Sequence, residues 1–172
     1  SLALNLKDKR ALEILFRLVK TADVFVEGFR PGVTERLGID YPALQKLNPG
    51  IIYCSISGYG QDGPYKLRAG HDLNYAAAAG LLHLNGRKES GPVIMATQLA
   101  DIAGGGMIAA FSILAALYCR AQTGQGQHID VSMADGAAAL NPIAWLEYSN
   151  TGRPPGPQAY RNLGATPCYN IY

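Results

Sequence analysis

Lys9-Arg-Ala-Leu-Glu-Ile-Leu-Phe-Arg-Leu-Val-Lys-Thr-Ala-Asp-Val-Phe-Val-Glu27 is the stretch that decides the fold. Leu12, Leu15, Phe16 and Val19 recur at i, i+3, i+4 and i+7, so Lys9 to Thr21 reads as a helix with one apolar face. Asp23 to Glu27 then reads as a short buried strand, and Gly28-Phe-Arg-Pro-Gly32 breaks the pattern. The same alternation continues downstream. Val33 to Leu37 makes a short helical turn, and Asp40 is placed to cap a helix over Tyr41 to Leu47, ended by Asn48-Pro-Gly. Ile51 to Ile56 reads as a second core strand. Helices are expected over Asp72 to Leu82, over Ile102 to Ala121, and over Asp135 to Tyr148 with a kink near Pro142. A third strand spans Gln127 to Met133. Strands alternating with helices predict an α/β architecture on a parallel, Rossmann-like sheet. Residues 1–150 are read as part of one α/β domain, and 151–172, rich in Pro and Gly, as an extended connector. The abrupt helical start and strand-like close suggest a fragment.

Composition sets outer bounds. The chain has 172 residues, 48% apolar and 16% charged, with a formal net charge of +2. That charge is too small and too spread for a nucleic-acid partner, and Arg30, Arg36 and Lys46, like Arg68, Arg87 and Lys88, read first as scattered surface charge. Cys54, Cys119 and Cys168 have no metal-type spacing, so no metal is expected, and so sparse a set suits a reducing, cytoplasmic setting. The run Ile102 to Cys119 nears membrane-span length, but it follows an aspartate and holds three glycines. A buried helix, with no membrane partner, is the reading adopted. P-loop, GxSxG and HExxH motifs are absent.

Ligands of open α/β sheets bind beyond the carboxyl ends of the strands, which selects three regions. In the first, Arg30 and Arg36 suit phosphate, because a guanidinium fork bonds two oxygens at once. Alternatively, Arg30 pairs with Glu27 or Glu35. In the second, His71 and Asp72 stand behind Gly70 at a helix start. Either the histidine moves protons near neutral pH, or Asp72 caps the helix and His71 is merely exposed. His83 and His128 are weaker candidates. In the third, Asp101 opens an apolar helix interrupted by Gly104, Gly105 and Gly106. There the helix N-terminus would keep Asp101 anionic as a base or nucleophile, or the group is a cap beside a tight helix crossing.

Taken in order, Glu27-Gly-Phe-Arg-Pro-Gly, Gly58-Tyr-Gly-Gln-Asp-Gly-Pro-Tyr, Gly70-His-Asp-Leu-Asn-Tyr, Ala100-Asp-Ile-Ala-Gly-Gly-Gly and Thr123-Gly-Gln-Gly-Gln-His-Ile-Asp-Val resemble the signatures of the class III CoA-transferase family, over essentially the whole chain. The resemblance implies an enzyme acting on acyl-CoA, with coenzyme A arriving as part of the substrate thioester and no permanently bound cofactor. It implies an interlocked homodimer. It places Asp101, His71 and Asp72 at the catalytic centre, and Arg30, Arg36, Tyr59, Gly60, Gly104 and Gly105 at the CoA site. The histidine at position 71 and its spacing from Asp101 are similar to the α-methylacyl-CoA racemase branch, in which aspartate and histidine exchange the proton next to the thioester carbonyl. In the transferase branch the matching aspartate is the nucleophile. Gln98-Leu99 departs from the Asn-Leu that racemases tend to carry. A non-catalytic acyl-CoA-binding relative is the third reading, and the intact acid–base residues argue against it.

Overall fold

The structure is a computed structural model that describes all 172 residues. Helix α1 (Lys9–Val19) is N-capped by Asp8, whose side chain accepts the Arg10 N–H at 2.9 Å. Strand β1 (Val24–Glu27) follows, then α2 (Val33–Leu37), α3 (Tyr41–Leu47) and β2 (Ile52–Ser57). Asp40 holds the N-cap position of α3 as expected, but its side chain makes no capping hydrogen bond.

With β5 (Gln127–Ser132), these strands form a three-stranded parallel sheet in the order β1-β2-β5. Val24 pairs with Ile52, and Ile52 with Gln127. Both faces of the central strand are covered. Tyr53 packs with Val19, Ile39 and Leu44, which brings α1 and α3 onto one face. Its hydroxyl donates to the Ile39 carbonyl at 3.1 Å, so the buried phenol is satisfied. On the other face Cys54 and Val131 meet Ala109 of α6 (Ile108–Thr123).

Three helical expectations are corrected. The helix expected over Asp72 to Leu82 is two, α4 (Asp72–Ala78) and α5 (Leu81–Leu84), because Gly80 adopts φ +78°. A left-handed residue cannot continue a right-handed helix. The helix expected over Asp135 to Tyr148 is also two, α7 (Met133–Ala139) and α8 (Pro142–Thr151). Pro142 starts α8 rather than kinking one helix, since it lacks the N–H an interior turn needs. The long apolar helix begins as a π-helical segment, Ala100–Met107, before α6 continues it. Wider π turns are rare and favour functional positions.

The expectation that this long helix is buried also fails. Ala109 and Ala116 face the sheet, whereas Met107, Phe111, Leu114 and Tyr118 are 51–73% exposed. The span Ala100–Thr123 is long and apolar enough to cross a membrane by length and composition alone. Between α5 and the π segment, β3 (Gly86–Arg87) and β4 (Gly91–Pro92) form a small antiparallel hairpin. Beyond α8, residues 152–172 carry turns and one 3-10 turn, Arg161–Leu163.

Candidate active site

The loop leaving the carboxyl end of β2 delivers the chain to α4. His71 occupies the N-cap position in extended conformation, and its N–H donates to Asn74 Oδ1 at 3.0 Å. Asp72, in the first turn, points inward and is 7% exposed. Its Oδ1 accepts the backbone N–H of Asp101 at 3.0 Å. The reading of Asp72 as the helix cap is therefore corrected, because His71 holds that position and Asp72 is bonded across to the π segment.

This bond brings the second and third sequence regions together. The Asp101 carboxyl is raised above the usual carboxylate range, first by burial, then by the negative charge of Asp72, with His71 opposing. Its Oδ1 is buried with no hydrogen-bond partner. Asp101 lies in the first turn of the helical run, as expected, and there burial and the Asp72 charge act against the dipole. Leu99, at the N-cap, is already helical, with φ −66° and ψ −41°, and the Asp101 N–H is taken by Asp72.

Arg30 lines a cavity of about 200 Å³ together with Phe29, Lys66, Arg68, Gly70 and Tyr75. It makes no ion pair with Glu27 or Glu35; the ion pairs join Arg10 to Asp8 and Arg120 to Asp23. Glu27 instead accepts the Phe29 N–H at 2.8 Å. Arg36 does not line this cavity. It is exposed, and its Nη1 lies 3.5 Å from where a side chain at Gly32 would begin. Lys66 and Arg68 take the second place beside Arg30, and sequence reading missed that pairing. The available signal was that both lie a few residues before Gly70-His71. The Arg68 guanidinium sits 4.0 Å from the Tyr65 ring centroid.

Tyr59 presents edge-on contacts to Tyr75 at 5.1 Å and Tyr65 at 5.6 Å. Gly60 is buried with φ +82°, and the next N–H, of Gln61, donates to Asp130 Oδ2 at 2.9 Å. Gly104 and Gly105 are buried where the π segment crosses α7. A Cβ on Gly104 would stand 2.6 Å from the Met133 carbonyl oxygen and 2.7 Å from the Ala137 nitrogen. His128 lies apart, stacked on Tyr41 at 5.5 Å and 2.9 Å from Ser55 Oγ. His83 lines a separate apolar cavity with Trp145. No group of three or more His, Cys, Asp or Glu side chains could hold a metal ion.

Chemically, the arrangement offers a carboxyl of raised basicity beside an imidazole, next to a basic cavity that shares Gly70 with the histidine loop. A proton can be taken and given there, and an anionic group can be held alongside.

A family model described as CoA-transferase family III matches residues 1–172. Over 145 residues the chain is 45% identical to the alpha-methylacyl-CoA racemase of Homo sapiens, covering 84% of this chain and 38% of that protein. It is 42% identical over 156 residues to the acetyl-CoA:oxalate CoA-transferase of Acetobacter aceti, covering 90% of this chain and 40% of that protein. The crystal structure of a CAIB/BAIF family protein from Brucella suis superposes with a TM-score of 0.85 at 35% identity, over 90% of this chain and 40% of that one. The chain thus spans about two fifths of the length of these relatives.

Proposed function

This chain belongs to CoA-transferase family III, an enzyme family, and on that premise we propose that the whole protein racemises 2-methylacyl-CoA thioesters through His71 and Asp101. One of the pair removes the proton on the carbon next to the thioester carbonyl, leaving an enolate. The other returns a proton to the opposite face, and the stereocentre is inverted. Inversion needs two proton carriers, whereas acyl transfer needs one nucleophile. The observation that carries this reading is the Asp101 N–H···Asp72 bond, which ties the π segment to the first turn behind His71. The raised Asp101 carboxyl supports it, because a stronger base suits removal of a weakly acidic carbon-bound proton.

Arg30, Lys66 and Arg68 would take the phosphates of coenzyme A, with Tyr75 as a wall of the same cavity. In this reading Asp72 touches no substrate and acts through Asp101. The apolar outer stripe of the long helix, Met107 of the π segment with Phe111, Leu114 and Tyr118 of α6, supports a covered surface in the whole protein, in keeping with a homodimer.

A second reading has its own support. With no hydrogen bond holding its Oδ1, the Asp101 carboxylate would attack the thioester carbonyl, forming a mixed anhydride as the C–S bond breaks and CoA leaves as thiolate. Similarity to the Acetobacter aceti transferase favours it too.

Substitution separates the two. Asp101→Ala should abolish turnover in both and leave CoA affinity within about threefold. His71→Ala should stop inversion altogether if the racemase reading holds. Inversion that survives His71→Ala would sink the two-base assignment.

A further inference from the structure

We propose that Tyr75 is a positioning residue for the acid–base pair, fixing His71 through the Gly70 carbonyl; this rests on the racemase reading above. The Tyr75 side chain is buried, and its hydroxyl donates to the Gly70 oxygen at 2.6 Å. That carbonyl belongs to the peptide linking Gly70 to His71, so its rotation swings the imidazole. A glycine at 70 offers no side chain to restrain such rotation. The phenol supplies the restraint.

Two surrounding features keep the phenol in place. Glycines stand where its ring passes: a Cβ at Gly70 would lie 2.6 Å from Tyr75 Cε1, and one at Gly58 would lie 2.6 Å from the hydroxyl oxygen. The Tyr59 ring meets Tyr75 edge-on, and Tyr59 in turn meets Tyr65, over which Arg68 lies. An aromatic row therefore runs from the basic cavity to the peptide before His71.

Asp72 and Tyr75 are three residues apart, on one face of α4. One holds the backbone of Asp101 and the other the backbone before His71. The first turn of α4 thus grips both members of the pair. A change at Tyr75 disturbs the histidine side and leaves the bond to Asp101 in place.

The test is Tyr75→Phe in the complete protein, read by deuterium washout in ordinary water from (2R)- and (2S)-2-methylbutanoyl-CoA, each deuterated at carbon 2, taken separately. The enantiomer whose washout disappears in His71→Ala identifies the face served by the histidine. On that face Tyr75→Phe should lower washout at least tenfold more than on the other, with KM within about twofold. Incorporating 3-fluorotyrosine at position 75 keeps ring and donor and should hold the ratio at its unsubstituted value. An equal fall on both faces, an asymmetry of opposite sign, or no change overturns the inference while leaving racemisation intact. Absence of washout from the unsubstituted protein overturns the racemase reading, and this inference with it.

Discussion

The Asp101 backbone N–H and the Asp72 carboxylate, 29 residues apart in sequence, are joined by a 3.0 Å hydrogen bond. The same contact sets two carboxyl groups near one another, and the negative charge of Asp72 helps hold the Asp101 carboxyl above its ordinary range. One side chain therefore both anchors the π segment and tunes the acid it carries.

Asp72→Asn separates those two effects. Asparagine still accepts the Asp101 N–H but carries no charge, so one of the causes raising the Asp101 carboxyl disappears. With the deprotonated carboxylate as base, activity falls as pH drops through the Asp101 pKa. The acid limb of the pH–rate profile should therefore move to lower pH in Asp72→Asn. Asp72→Ala, which also loses the bond, should cut kcat about tenfold further.

The glycines at the crossing make a stability prediction. The neighbours of a Cβ at Gly104 are backbone atoms, the Met133 oxygen and the Ala137 nitrogen, which cannot rotate away. Gly104→Ala should cost about 3 kcal/mol, the upper range for overpacking, measured by urea unfolding of the complete protein. Gly106→Ala, whose nearest contact is 3.8 Å away, should be neutral or slightly stabilising.

Arg120 ties together the amino ends of β1 and β2. It donates to the Asp23 carboxylate at 2.7 Å, to the Gly50 carbonyl at 3.0 Å and to the Asp23 carbonyl at 3.2 Å. Arg120→Ala should cost roughly 1–3 kcal/mol, because it strips bonds from two carbonyls as well as one carboxylate. Asp23→Ala removes only an exposed partner and should cost less than about 1 kcal/mol. Denaturation midpoints compare the two.

Burial pushes the Cys54 thiol up to about 11, with Glu27 and Asp130 adding to the shift, while Cys119 and Cys168 are exposed. Iodoacetamide at pH 8 should alkylate Cys119 and Cys168 and leave Cys54 unmodified, as read by mass spectrometry of the native protein. The sign of the linked stability follows. The unfolded thiol ionises near 9.0 and the folded one near 11, so this contribution is whole below pH 9 and is lost as pH rises between the two.

Much of this was legible in the sequence, and the misses share a cause. Helix α1 and the strands β1 and β2 announce themselves through periodicity and bounding Gly and Pro residues, which are local signals. His71 and Asp101 were legible because each sits at an element start beyond a strand end. The partnership of Arg30 with Lys66 and Arg68 was not, since only the tertiary path of the loop after β2 brings them to one cavity. Nor was the raised Asp101 carboxyl, which depends on burial and on Asp72 turning inward. The three glycines signal close backbone approach, but nothing in their spacing tells a π turn from an α turn.

The central claim is that His71 and Asp101 exchange an α-proton. The most direct measurement is NMR of a 2-methylacyl-CoA incubated in heavy water with the complete protein and no free carboxylic acid. The account predicts loss of the α-proton signal with inversion; in Asp101→Ala and in His71→Ala inversion is abolished, and only the enantiomer facing the remaining base still exchanges. A silent α-proton, with CoA passing to a carboxylic acid once one is added, would contradict it and make Asp101 the nucleophile of a transferase.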